Sequence, residues 1–253
     1  MPYANNNGVK IYYEVEGQGP PLVMLHGFAG SLEDWREAGY VDALKNDYQL
    51  VLGDLIGHGK SDKPHDTESY ALEKYPGNLT AILDGLHIPS AHFMGYSGGG
   101  VHCIALASQA RDRVKSMILM ASGPHTTNTS FIRPIVAAGP EAYIAMMEQS
   151  GPMPAGLKKH MTANDFKALT AIIDSLSTPL DLTGKLPGML IPFLVLLGEN
   201  DFAYPPQKEK ELFQHVPDLN FVVLPGLDHG TIINRSDMTL PYIKKFLAQV
   251  NTP

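Results

Sequence analysis

The chain has 253 residues, 44% of them hydrophobic and 18% charged, with a formal net charge of -7. That length and apolar content suffice for one globular α/β domain with a large core, and the acidic balance, without a block of either sign, excludes nucleic acid and anionic membrane surfaces as expected partners. Cys103 is the single cysteine, so no intrachain disulfide can form, nothing requires an oxidising compartment, and a cytoplasmic location is expected.

The opening MPYANNNGVK has no basic stretch leading into an apolar core, and so predicts no secretory signal. Residues 9–16, VKIYYEVE, are aromatic and β-branched between turn residues, which predicts a strand. Apolar runs at 22–27, 48–55, 91–97, 114–122, 191–198 and 220–225 predict further strands. Several are nearly continuous rather than alternating, as in strands covered on both faces, and none is long enough to cross a bilayer. Stretches of helical character at 69–87, 98–110, 206–216 and 238–249 separate them. Strand and helix alternate, which predicts an α/β fold with a mostly parallel sheet of about eight strands flanked by helices. Pro76 and Gly77 are expected to kink or break the first helix, since proline removes an amide donor and glycine adds chain entropy.

Residues 123–187 interrupt this rhythm with a segment rich in Met, Pro and Gly, a helix near 163–176 and no evident strand. They read as a short helical cap over the strand ends where open α/β sheets bind ligands, with 1–122 and 188–253 forming the core domain; the alternative is an irregular surface loop. Tyr143, Met146, Met147, Met153, Met161 and Phe166 in this segment suit either an adaptable apolar pocket or the segment's own core, because apolar spacing does not separate the two.

The chemistry concentrates at HFMGYSGGGVHC, residues 92–103, where Ser97 stands in a G-x-S-x-G pattern after a predicted strand and before a predicted helix. A sharp turn there lifts the hydroxyl out of the sheet and aims a helix N-terminus at the reacting centre. A serine hydroxyl is a weak nucleophile near neutrality and needs a base. Of the ten histidines, His229 in LPGLDHGTI follows the last predicted strand and can return to the same sheet edge. Its tautomer needs a carboxylate, and Asp201 in LLGENDFAYPP lies just past the preceding strand; Glu199 and Asp228 are the rivals. No His spacing or Cys cluster suits a metal, and Cys103 reads as a buried small apolar residue.

With LHGFAGS at 25–31 and DLIGHGKSD at 54–62 added, the chain resembles the α/β-hydrolase superfamily in its serine-nucleophile branch over nearly its full length. The resemblance implies the order nucleophile, acid, histidine, and an oxyanion hole formed by the backbone N–H groups of Phe28 and Gly98. Phe28 and Tyr96 would also form pocket walls, His26 and His58 would brace the loops, and Asp54 and Ser61 would bond locally around the turns at Gly57 and Gly59. It implies a cofactor-free, metal-free carboxylic-ester hydrolase acting on a small-molecule ester or lactone through an acyl-enzyme. Carbon–carbon bond hydrolases and perhydrolases share these groups, although Gly230 stands where relatives in the former branch often carry tryptophan. Epoxide hydrolases and haloalkane dehalogenases use aspartate at the position of Ser97, which argues against both. A ligand-sensing receptor that retains the fold is the alternative from another class, and nothing in the sequence fixes an oligomeric state.

Overall fold

The computed structural model describes residues 2–127, 129, 131–148, 155–176 and 180–251. Eight strands form one sheet: β1 (Tyr3–Asn6), β2 (Val9–Glu16), β3 (Pro21–Leu25), β4 (Gln49–Gly53), β5 (Ala91–Tyr96), β6 (Val114–Met120), β7 (Phe193–Gly198) and β8 (Leu219–Leu224), in the order β1-β2-β4-β3-β5-β6-β7-β8. The two β2 pairings are antiparallel, and every other pairing is parallel. The carboxyl ends of β3 to β8 therefore share one edge.

The near-continuous apolar runs are explained by side-chain alternation in strands. Leu25, Val51, Phe93, Leu119 and Val195 point into one core, while Met24, Leu52, Met94, Ile118 and Leu196 point into the other. Helices α1 (Glu33–Glu37), α2 (Tyr40–Leu44) and α10 (Ser236–Val250) contribute to the second core through Trp35, Tyr40, Leu44 and Phe246. Helices α3 (Tyr75–Gly85), α4 (Gly98–Gln109) and α9 (Pro206–Phe213) cover the opposite face.

Two expectations are corrected. Pro76 does not kink α3, because it occupies the first turn, where its missing N–H has no intrahelical acceptor to lose; Gly77 follows it there, and the helix begins at Tyr75. Strand β1 is an addition: YANN lacks the β-branched signal, yet all four residues pair with β2.

Between β6 and β7 the chain forms α5 (Arg133–Ala137), α6 (Pro140–Met147), α7 (Ala155–Thr162) and α8 (Phe166–Ser175). The Asp165 carboxylate caps α8 by accepting from Lys167 and Ala168 N–H. The helix buries Ala168, Leu169, Ala171, Ile172 and Ile173. Tyr143, Met161 and Leu169 join the same core cluster as the sheet, so the segment packs onto the core rather than standing apart. No described helix is long and apolar enough to cross a membrane.

Candidate active site

Ser97 sits between β5 and α4 at φ 50° and ψ -119°, a backbone conformation that side chains rarely adopt. Its neighbours must be small for a specific reason. A Cβ on Gly95 would lie 2.4 Å from the Gly100 nitrogen, and one on Gly99 would lie 2.3 Å from the Leu25 carbonyl oxygen. The strained residue is held by its own backbone: its N–H donates to Met120 O at 2.9 Å, and its carbonyl accepts from the Ser122 hydroxyl at 2.7 Å.

The loop after β8 brings His229 to this turn, with Nε2 3.0 Å from Ser97 Oγ. His229 Nδ1 lies 3.2 and 3.1 Å from the two Asp201 carboxylate oxygens. Asp201 is 3% exposed, and its Oδ1 also accepts from the N–H groups of Ala203 and Tyr204, both at 2.9 Å. These bonds satisfy a buried carboxylate and fix its orientation.

The two rivals have other work. Glu199 accepts from Gly226 N–H, and Asp228 closes its own turn by accepting from Gly230 and Thr231 N–H. The ring of His229 is framed by Tyr96, Phe202 and Tyr204, at centroid distances of 5.8, 6.0 and 5.9 Å, and the Tyr96 hydroxyl donates to the His229 carbonyl at 2.9 Å.

On the other side of Ser97, a Cβ built on Gly98 would stand 3.9 Å from Phe28 N, so the two loops bring these backbone N–H groups close together. Neither N–H has an acceptor among the described residues. The peptide joining Gly27 to Phe28 is itself anchored, because its carbonyl accepts from His26 Nδ1 at 2.7 Å and from Gly30 N–H at 3.2 Å.

The α/β-hydrolase-fold family model matches residues 20–145, the stretch that carries the Gly27–Phe28 loop and Ser97. The chain belongs to the α/β-hydrolase superfamily. The pimeloyl-(acyl-carrier protein) methyl ester esterase of Nitrosomonas europaea is 28% identical, over 88% of this chain and 94% of that protein. The cis-3-alkyl-4-alkyloxetan-2-one decarboxylase of Shewanella oneidensis is 24% identical over 99% of this chain and 89% of that protein. Among solved structures, the enol-lactonase from Burkholderia xenovorans superposes with a TM-score of 0.85 at 25% identity, covering 98% of this chain and all (100%) of that one.

In this α/β-hydrolase His26 and His58 are tied to the backbone at both ring nitrogens. His26 Nε2 accepts from Leu55 N–H at 3.0 Å, while His58 Nε2 accepts from Ala29 N–H at 3.1 Å and Nδ1 donates to Ile56 O at 3.1 Å. Burial lowers their pKa values to about 4 and about 3, so both are neutral braces near pH 7. Asp54 accepts from Leu32 and Lys60 N–H, and Ser61 donates to the Asp54 carbonyl while accepting from Tyr12 N–H. Gly57 and Gly59, at φ 85° and 49°, make the tight turns between them.

Of the candidate pocket residues, Phe28, Tyr143 and Phe166 form a chain of edge-on ring contacts, with Phe28 to Tyr143 at 6.3 Å and Tyr143 to Phe166 at 6.0 Å. Met146 is half-buried against the core and Met161 is buried within it. Met147 does not join them, because it is 38% exposed; Met153 lies outside the described residues. Cys103 is buried, and burial pushes its thiol pKa up, away from nucleophilic use.

Three groups carried no sequence signal. Asn164, at the turn between α7 and α8, donates from its side chain to Ala29 O at 2.8 Å, one residue past Phe28. His125, where the chain leaves the sheet, pairs with the fully buried Glu209 of α9 at 2.9 Å, and that bond raises the His125 pKa. Tyr204 joins this pair to the Asp201 loop by donating its hydroxyl to His125 O at 3.2 Å. Each depends on residues far apart in the chain, so no local pattern announces it.

Proposed function

We propose that this protein is a carboxylic-ester hydrolase that cleaves a small ester or lactone through an acyl-enzyme on Ser97. The observation that supports it most directly is the unbroken line from Ser97 Oγ to His229 Nε2 at 3.0 Å and from His229 Nδ1 to Asp201 at 3.1 Å.

In this reading His229 takes the Ser97 proton as Oγ attacks the carbonyl carbon, and Asp201 stabilises the imidazolium that forms. The negative charge that develops on the carbonyl oxygen is met by the Phe28 and Gly98 N–H groups, aided by the N-terminus of α4. His229 then protonates the leaving alkoxide. Water, deprotonated by the same imidazole, attacks the acyl-enzyme and releases the acid and free Ser97. No step calls for a cofactor or metal.

Residues 123–187 act as a lid in this reading, with Phe28, Tyr96 and Tyr143 as walls of an apolar pocket. The named esterase and lactonase relatives support an ester or lactone substrate. The test is steady-state hydrolysis of p-nitrophenyl esters from acetate to laurate by the wild type and by folded Ser97→Ala. Turnover that vanishes with Ser97 supports the reading, and equal activity of the two proteins contradicts it. Slow single turnover with ligand-dependent protection of residues 123–187 would instead mark a receptor.

A further inference from the structure

From Gly98 to Ala107, every residue of α4 is buried except Gly98 and His102, which are half-buried. Four residues apart, they lie on one helix face, separated by about one 5.4 Å turn. At Gly98 this face looks toward Phe28 N. Gly98 and His102 are thus the two partly exposed positions on this face of α4, one beside the Phe28 N–H and the other a turn further along.

The ring lies flat against Tyr75, with centroids 3.7 Å apart and planes 8° apart. Stacking fixes the ring plane and leaves both nitrogens at its edge. Neither nitrogen has a hydrogen-bond partner among the described residues. His26 and His58 behave differently, since both nitrogens of each are committed to backbone groups. Burial, with smaller contributions from His58 and His26, lowers the His102 pKa to about 3. The ring is therefore neutral near pH 7 and offers one donor and one acceptor.

We infer that His102 is a specificity-determining residue that hydrogen-bonds an uncharged oxygen-bearing group, a ketone or hydroxyl, on the acyl chain of the substrate. The inference rests on the reading of Ser97 as the nucleophile. The acyl carbonyl is held at Gly98, so a group bound about one helical turn away sits a few atoms along the chain. A carboxylate there meets a neutral imidazole instead of a cation and is disfavoured. A plain alkyl chain leaves the imidazole desolvated and unpaired, which is how a polar group in an apolar wall discriminates.

The experiment compares kcat/KM for p-nitrophenyl 4-oxopentanoate and p-nitrophenyl pentanoate, a pair differing by one ketone, in wild type, His102→Phe and His102→Gln. A wild-type preference for the oxo ester of about tenfold is expected, collapsing in His102→Phe and partly retained in His102→Gln, which keeps a donor. His102→Leu supplies the same readout if the phenylalanine variant does not fold. Ser97-dependent turnover with one oxo-to-alkyl ratio in all proteins overturns the His102 assignment and leaves the Ser97 reading standing. Absence of Ser97-dependent turnover of either ester overturns both.

Discussion

The loops at the carboxyl edge of the sheet and the helical segment above them are held by different forces. At the edge, directional bonds reach across the chain. Asp54 gathers Leu32 and Lys60, His58 holds Ala29, His26 holds the Gly27 to Phe28 peptide, and Asp201 gathers Ala203 and Tyr204. The segment between β6 and β7 is seated mainly by apolar packing, as in Ala168, Leu169, Ile172 and Ile173 of α8. Hydrogen bonds fix angles and positions, whereas apolar burial fixes area. In the proposed function, that difference separates where reacting atoms are placed from where a pocket is shaped.

Substitutions at the edge should accordingly cost chemistry. Ser97→Ala should lower kcat by on the order of 10⁶ toward other changes' background, measured on the best p-nitrophenyl ester. Asp201→Asn keeps the shape but gives His229 an amide partner that can favour the wrong tautomer, and a loss of about 10⁴ in kcat is expected. Retention of full activity by Asp201→Asn would remove that carboxylate from the mechanism.

Asn164 is the place where the two regions meet through a directional bond, so Asn164→Ala sharpens the comparison. Loss of one neutral hydrogen bond, about 1 kcal/mol, should lower kcat about fivefold through the Phe28 loop while changing the melting temperature little. A fall in stability with unchanged kcat would make Asn164 a simple packing contact.

The last effect concerns the pH dependence of stability. His26, His58 and His102 have folded-state pKa values lowered to about 4, 3 and 3 from 6.5. The native state thus binds fewer protons than the unfolded chain below pH 6.5. The resulting stability is present above that pH and is lost as the pH falls toward 4. Between pH 7 and pH 5.5 each group should remove about 1 kcal/mol of unfolding free energy. Urea titrations at the two pH values should show His102→Phe losing about one third less of this histidine contribution than wild type. An unchanged pH slope in that variant would place His102 in water rather than in the protein.

Much of the scaffold was legible because its signals are local. The apolar runs marked the strands from β2 to β8, and the glycines around Ser97 marked a turn too tight for a Cβ. The reading of His229 and Asp201, with Glu199 and Asp228 as rivals to the latter, rests on loops after parallel strands emerging at one edge, and the structure brings both side chains together with Ser97. Local signals failed elsewhere for identifiable reasons. Strand β1 is four residues of weak propensity stabilised by its partner. Helices α1 and α2 are five residues each and are separated by Gly39 at φ 83°, so neither shows a full amphipathic period. Pro76 reads as a helix breaker only when the helix is drawn from residue 69, and the start of α3 at Tyr75 puts it in the first turn instead. The Tyr75 and His102 stack and the Asn164 bond join residues that are distant in sequence, where no spacing rule applies.

The most direct measurement is intact-mass and peptide mass spectrometry after reaction with a p-nitrophenyl alkylphosphonate, which mimics the tetrahedral intermediate and stops at the phosphonylated nucleophile. The account predicts one adduct, on the peptide containing Ser97, absent in Ser97→Ala and formed far more slowly in His229→Ala. An adduct on another residue, or labelling that does not depend on His229, would contradict it.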